Sequence, residues 1–219
     1  MLNLIIKDIL MQKKRMVFGL AYILIACVSF QSMEVFVYPM AMTGFAYMLV
    51  FTSCAYEDMN KADVMVNSLP VSRKMIVAAK YLSVIFYFMI GTLVYALLIA
   101  FNSIPGFPVT IQPITLQSFA AGFASVSLII AFVLPVFYKV GYMKSRITVF
   151  ILFFIFFFGI SAISEIITKS NYNIYLSSLI ARIDEIGSPA VSILIFAALV
   201  ILLAISYLIA VKFYKNREF

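Results

Sequence analysis

The sequence predicts an all-α integral membrane protein with six transmembrane helices and both termini in the cytoplasm. Three observations predict it. Apolar residues fill 65% of the 219 positions and charged residues only 11%, where a soluble domain is nearer half and a quarter. Six apolar stretches reach the ~20 residues that a helix needs to cross the hydrocarbon core. Fourteen of the sixteen lysines and arginines fall on alternate connections, the asymmetry expected of cytoplasmic loops. A water-soluble enzyme, a nucleic-acid module and a disordered chain are excluded together, and the net charge of +7 is no nucleic-acid footprint.

Missing residues narrow the chemistry. The chain has no histidine, so no imidazole serves as acid, base or metal ligand. Cys27 and Cys54 sit in apolar runs, outside any CxxC pattern, and predict neither disulfide nor zinc framework. No P-loop pattern occurs, so the chain is expected to bind no ATP itself. No catalytic residue, metal site or cofactor is expected.

The elements follow in order along one domain, 1–219. Residues 1–15 form an interfacial helix, with Leu2, Ile5, Ile6 and Ile9 as its apolar stripe and Lys7, Asp8, Gln12 and Lys14 mostly off it. Such a helix lies flat on anionic lipid or simply anchors the positive side. The first span covers about 16–33 and Glu34 closes it; the second covers about 35–56. No charge occurs from Tyr81 to Tyr138, yet Asn102, Pro105, Gly106, Pro108 and Pro113 break that stretch into spans at about 75–101 and 116–138. The fifth span covers about 147–167 and the sixth about 189–211. Pro135 predicts a bend near the cytoplasmic end of the fourth.

Between spans two and three, Met59, Ala62, Val66 and Leu69 recur at helical spacing, with Glu57, Asp58, Lys61 and Asp63 alongside. Pro70 stops this helix and Ser72 is placed to cap the next. So short a stripe forms no core alone. It rests on the bilayer, on its own bundle or in a groove of another protein. On the outer side, Leu176, Leu179, Ile180 and Ile183 predict an amphipathic helix within 168–188.

Ionisable groups are nearly absent from the spans. Glu165, at the outer end of the fifth, is either an interfacial residue or part of an outer gate. Small residues gather instead: Thr43, Gly44 and Ala46 in the second span, and Ala120, Ala121, Gly122, Ala124 and Ser125 in the fourth, where helices can approach closely.

This plan resembles the permease subunit of type-2 ABC exporters. The run from Tyr56 to Asp63, then Ser68-Leu69-Pro70-Val71-Ser72-Arg73-Lys74 and Lys80-Tyr81-Leu82, resembles a bacterial branch that includes the exporter of phenol-soluble modulins, which are amphipathic peptides. The resemblance implies a coupling helix in the loop after span two. Glu57, Asp58, Met59, Ala62, Asp63 and Val66 would contact a separate cytosolic ABC ATPase that carries ATP and Mg. It also implies a second permease chain, identical or not, an amphipathic or apolar cargo and a bacterial plasma membrane, with no nucleic acid involved. A membrane scaffold, immunity or assembly factor is the alternative.

The charge split has a direct consequence. Cysteines at Lys74 and Asn216 should resist an impermeant thiol reagent in intact cells, and cysteines at Gly106 and Ser178 should react. Labelling at position 74 from outside would invert the topology.

Overall fold

The computed structural model describes residues 2–30, 36–68, 70–102, 111–169 and 188–216. Among them the chain is helical, with no strand. The helices are α1 (Leu2–Met11), α2 (Lys13–Ser29), α3 (Val37–Met59), α4 (Ala62–Asn67), α5 (Arg73–Asn102), α6 (Leu116–Lys169) and α7 (Ser188–Lys215). Four described stretches are long and apolar enough to cross a membrane: Val37–Met59, Arg73–Phe101, Leu116–Thr148 and Phe196–Lys215. The expected first span appears as α2, 17 residues long, and its expected end at 31–33 lies outside the described residues. So do Glu34, the outer helix within 168–188 save its two ends, and the side chain of Glu165.

α3 is the centre of the bundle. It packs on α2, α5 and α6, and α6 in turn packs on α7. In its most apolar stretch 61% of the residues are buried, against 22% in α7. In lipid, apolar surface alone gives helices little reason to associate; close packing and interhelical hydrogen bonds must hold them. α3 supplies both. Phe45, fully buried, lies between glycines of two neighbours. A Cβ at Gly19 of α2 would stand 2.8 Å from Phe45 Cδ2, and one at Gly91 of α5 2.8 Å from Phe45 Cδ1. The ring fits because neither neighbour has a side chain there.

Of the small residues noted in the sequence, Thr43, Gly122 and Ser125 lie at helix contacts, whereas Ala120 and Ala121 are exposed. Thr43 Oγ1 and Ser125 Oγ share a hydrogen bond of 2.6 Å between α3 and α6, and Tyr38 packs over Gly122. Tyr38 Oη is also 2.8 Å from Thr92 Oγ1 of α5, and its ring meets Tyr95 edge-on at 5.1 Å. Each such aromatic pair contributes about 0.5–1.5 kcal/mol and each interhelical hydrogen bond about 0.6 kcal/mol, so many must act together.

Three boundaries differ from expectation. The second span does not end near Tyr56 but continues as α3 through Met59, so Glu57, Asp58 and Met59 belong to it and not to the loop helix. The loop helix α4 has only six residues, and Lys61, with φ of 48°, makes the turn that separates it from α3. The segment 139–146, expected as a loop, is helical on both sides of Gly141. There φ is 77° and ψ is 176°, a conformation essentially restricted to glycine, and the kink replaces a loop. Pro135 is accommodated inside the helix, and the non-helical dihedrals fall at Gly141 rather than beside it.

Replacing Gly91 by leucine should force Phe45 out of place and destabilise the bundle by about 1–3 kcal/mol, the ordinary cost of overpacking. The check is the thermal unfolding midpoint in detergent micelles. An unchanged midpoint would mean that Phe45 does not pack against α5.

Candidate functional site

Charges gather where α1, the last turn of α3 and the first turns of α5 meet. Lys80, on α5, is 3% exposed. Its Nζ donates to Ser53 Oγ at 2.6 Å and pairs with Glu57 Oε2 at 2.9 Å and Asp8 Oδ2 at 3.5 Å. Lys7 Nζ closes the ring, 3.1 Å from Glu57 Oε1 and 3.5 Å from Asp8 Oδ1. Two lysines and two carboxylates from three helices thus balance. One turn past Asp8, just beyond the end of α1, a separate contact joins it to α3: Thr52 Oγ1 donates to Gln12 Oε1 at 2.8 Å.

The electrostatics follow from burial. Desolvation pushes the Asp8 carboxyl above its ordinary range, and Lys80 pulls it part of the way back. Removing one member of such a cluster strands its partners and costs about 3–5 kcal/mol, whereas an exposed pair contributes at most about 1. The protonated Lys80, enclosed by acceptors, has no lone pair to offer as a nucleophile. Among the described residues no group of carboxylates, thiols and imidazoles could hold a metal ion. The cluster ties α1, α3 and α5 together.

The Ser72–Lys80 stretch fastens α5 to its neighbours. Ser72 Oγ accepts from the Met75 N–H at 3.4 Å, as expected of the cap. Arg73 Nη1 donates to the carbonyl of Lys215 at 2.7 Å and to that of Tyr214 at 3.4 Å, where the C-terminal end of α7 leaves acceptors unpaired and favours a cation. Tyr207 Oη, on α7, donates to the Lys74 carbonyl at 3.2 Å. Tyr81 Oη and Ser206 Oγ lie 2.6 Å apart, and Ser206 donates in turn to the Ala131 carbonyl of α6.

The expected contact residues separate into two groups. Glu57, expected at a solvent rim, faces inward onto Lys80 and Lys7. Val66 is also buried, because the turn at Lys61 rotates α4 relative to α3 and breaks the expected stripe. Among the described side chains here, Met59 at 77% and Met65 at 72% are apolar and exposed, with Asp58 and Ala62 half-buried beside them. The side chain of Asp63 lies outside the described residues. Met65 was missed because the stripe was drawn through one continuous helix. Lys80 and Asp8 were missed as partners because each was read only as a sidedness marker or an off-stripe charge. A lysine two turns inside a span demands a counter-ion, and that was the available signal.

Beside these fastenings, α5, α6 and α7 border an open apolar crevice of about 350 Å³, lined among others by Tyr81, Leu82, Phe88, Phe123, Ile130 and Leu203.

No curated protein and no solved structure matches the chain. A family model described as ABC-2 family transporter protein matches residues 3–215, nearly the whole length. With its long apolar helices, the chain is therefore a multi-pass membrane protein that belongs to the ABC-2 transporter family, as the permease component of an ABC transporter.

Proposed function

We propose that this permease exports an amphipathic or apolar cargo, peptides among them, across a bacterial plasma membrane in six spans. A separate cytosolic ATPase, holding ATP and Mg, drives it, and a second permease chain, identical or different, completes the pathway. The observation that carries this reading is the pair Met59 and Met65, large apolar side chains left exposed on a loop whose base is held by a buried charge cluster. Thioether side chains adapt to grooves, and an exposed apolar pair on a loop suits a docking contact with another protein. Asp58 and Lys61 stand beside them as rim charges, with Asp63 assigned to the same rim from the sequence. Glu57 supports the loop from inside. The apolar crevice between α5, α6 and α7 favours a greasy cargo over a sugar or an ion. Glu165 is kept as a residue of the outer gate.

The purified chain should hydrolyse no ATP, and hydrolysis should appear on addition of a P-loop subunit. Activity in the isolated chain that survives removal of contaminating ATPases would overturn the division of labour.

Met59→Asp with Met65→Asp should leave insertion intact, because both side chains are exposed. It should lower co-purification of the ATPase about tenfold or more, the loss expected of a central apolar anchor. Val66→Asp should instead lower the amount of folded chain. Undiminished co-purification of the double aspartate variant, at matched membrane levels, would place the docking surface elsewhere.

A further inference from the structure

We propose that the Lys80 cluster is a joint that delivers movement of the loop after α3 to the N-terminal helix α1, with Lys80 as its positioning residue. The proposal rests on the reading that this loop receives the ATPase. Glu57 lies in the turn that ends at Met59, so whatever pulls Met59 pulls Glu57. Lys80 holds Glu57 at 2.9 Å and Asp8 of α1 at 3.5 Å, and Lys7 of α1 holds Glu57 directly at 3.1 Å. The backbone of α1 lies along α5, and these side chains reach across from it to α3. In a site this dry, parting the charges costs far more than moving them together. The low-cost motion therefore carries α1, the end of α3 and the start of α5 as one body.

The structure also supplies a pivot. α1 and α2 meet at Gln12, a turn residue whose backbone keeps right-handed dihedrals (φ −92°, ψ −3°) and whose side-chain oxygen accepts from Thr52 of α3. α1 can turn about this point without unwinding α2, as hinges at element ends do. If the cluster were only glue for the whole bundle, removing Lys80 would loosen everything equally.

Spin labels distinguish the two. The full chain, with Cys27 and Cys54 replaced by alanine, is placed in lipid nanodiscs and labelled at Leu10→Cys on α1 and Ser68→Cys at the end of α4, both exposed. A control pair sits at Ile25→Cys on α2 and Ile205→Cys on α7, also exposed. Pulsed dipolar spectroscopy should give one narrow distance for both pairs. Lys80→Met should abolish the narrow α1–α4 distance and spare the control, and Lys80→Arg should restore it. Should Lys80→Met fail to accumulate, Asp8→Asn, which lies outside the spans, should give the same selective loss. A narrow α1–α4 distance in these variants would overturn the joint, and so would equal broadening of both pairs. In the complex with the ATPase, trapping with ATP and vanadate should move both Ser68 and Leu10 relative to Ile205. In Lys80→Met only Ser68 should move, and movement of Leu10 as in wild type would also overturn the joint. Immobility of Ser68 in the wild type would count against ATPase docking, and the chain-alone distances would still decide the joint.

Discussion

A single ammonium group at the loop end of the bundle organises the elements that define the site. Lys80 is buried two turns inside a helix that carries no further charge beyond it, where an unpaired charge is not tolerated, and its counter-ions come from two other helices. The position of α1 and the end of α3 are both set by that requirement. The requirement is local: it constrains three elements within a few ångströms and leaves the far end of each span free to be arranged by packing.

That packing answers to the same absence of water. Since lipid is as apolar as the side chains, contacts count only where shapes interlock or donors find acceptors. Phe45 between Gly19 and Gly91, and Thr43 against Ser125, are two forms of one solution. The motif residues of α5 belong to it as well. Arg73 satisfies carbonyls at the end of α7, and Tyr81 reaches Ser206 on the same helix. The Ser-Arg-Lys and Lys-Tyr pieces of the loop motif are thus fastenings of α5 to the elements around it.

How much was legible in the sequence depends on which property each element expresses. Span positions are a matter of summed hydropathy, so α5 and α7 fall within a few residues of expectation, as does the start of α6. Breaks depend on single dihedrals. Gly141 gives no more compositional signal than any other glycine, and the basic residues around it read as a loop although the backbone stays helical on either side. Lys61 is harder still, because a lysine in the left-handed region contradicts its own preference, and only the surrounding structure holds it there. Met65 and Val66 exchanged roles because of that one residue. Helical spacing marks a short helix in this loop, but not which of its faces is exposed.

α1 shows why faces are the weaker inference in such a chain. An apolar stripe points to the interior of a protein when the alternative is water. At a membrane the alternative is lipid, and the preference can reverse. On α1, Ile5 is buried, but so are Asp8 and Gln12 at the following turns, while Ile6 and Leu10 face out. The polar side chains turn inward, where Lys80 and Lys7 pair with Asp8 and Thr52 donates to Gln12, and the apolar ones lose little by facing hydrocarbon or headgroups. Reading α1 by its polar residues would have pointed to Lys80 at once. On α1 the face that carries Asp8, not the greasy one, is the side that meets the rest of the protein.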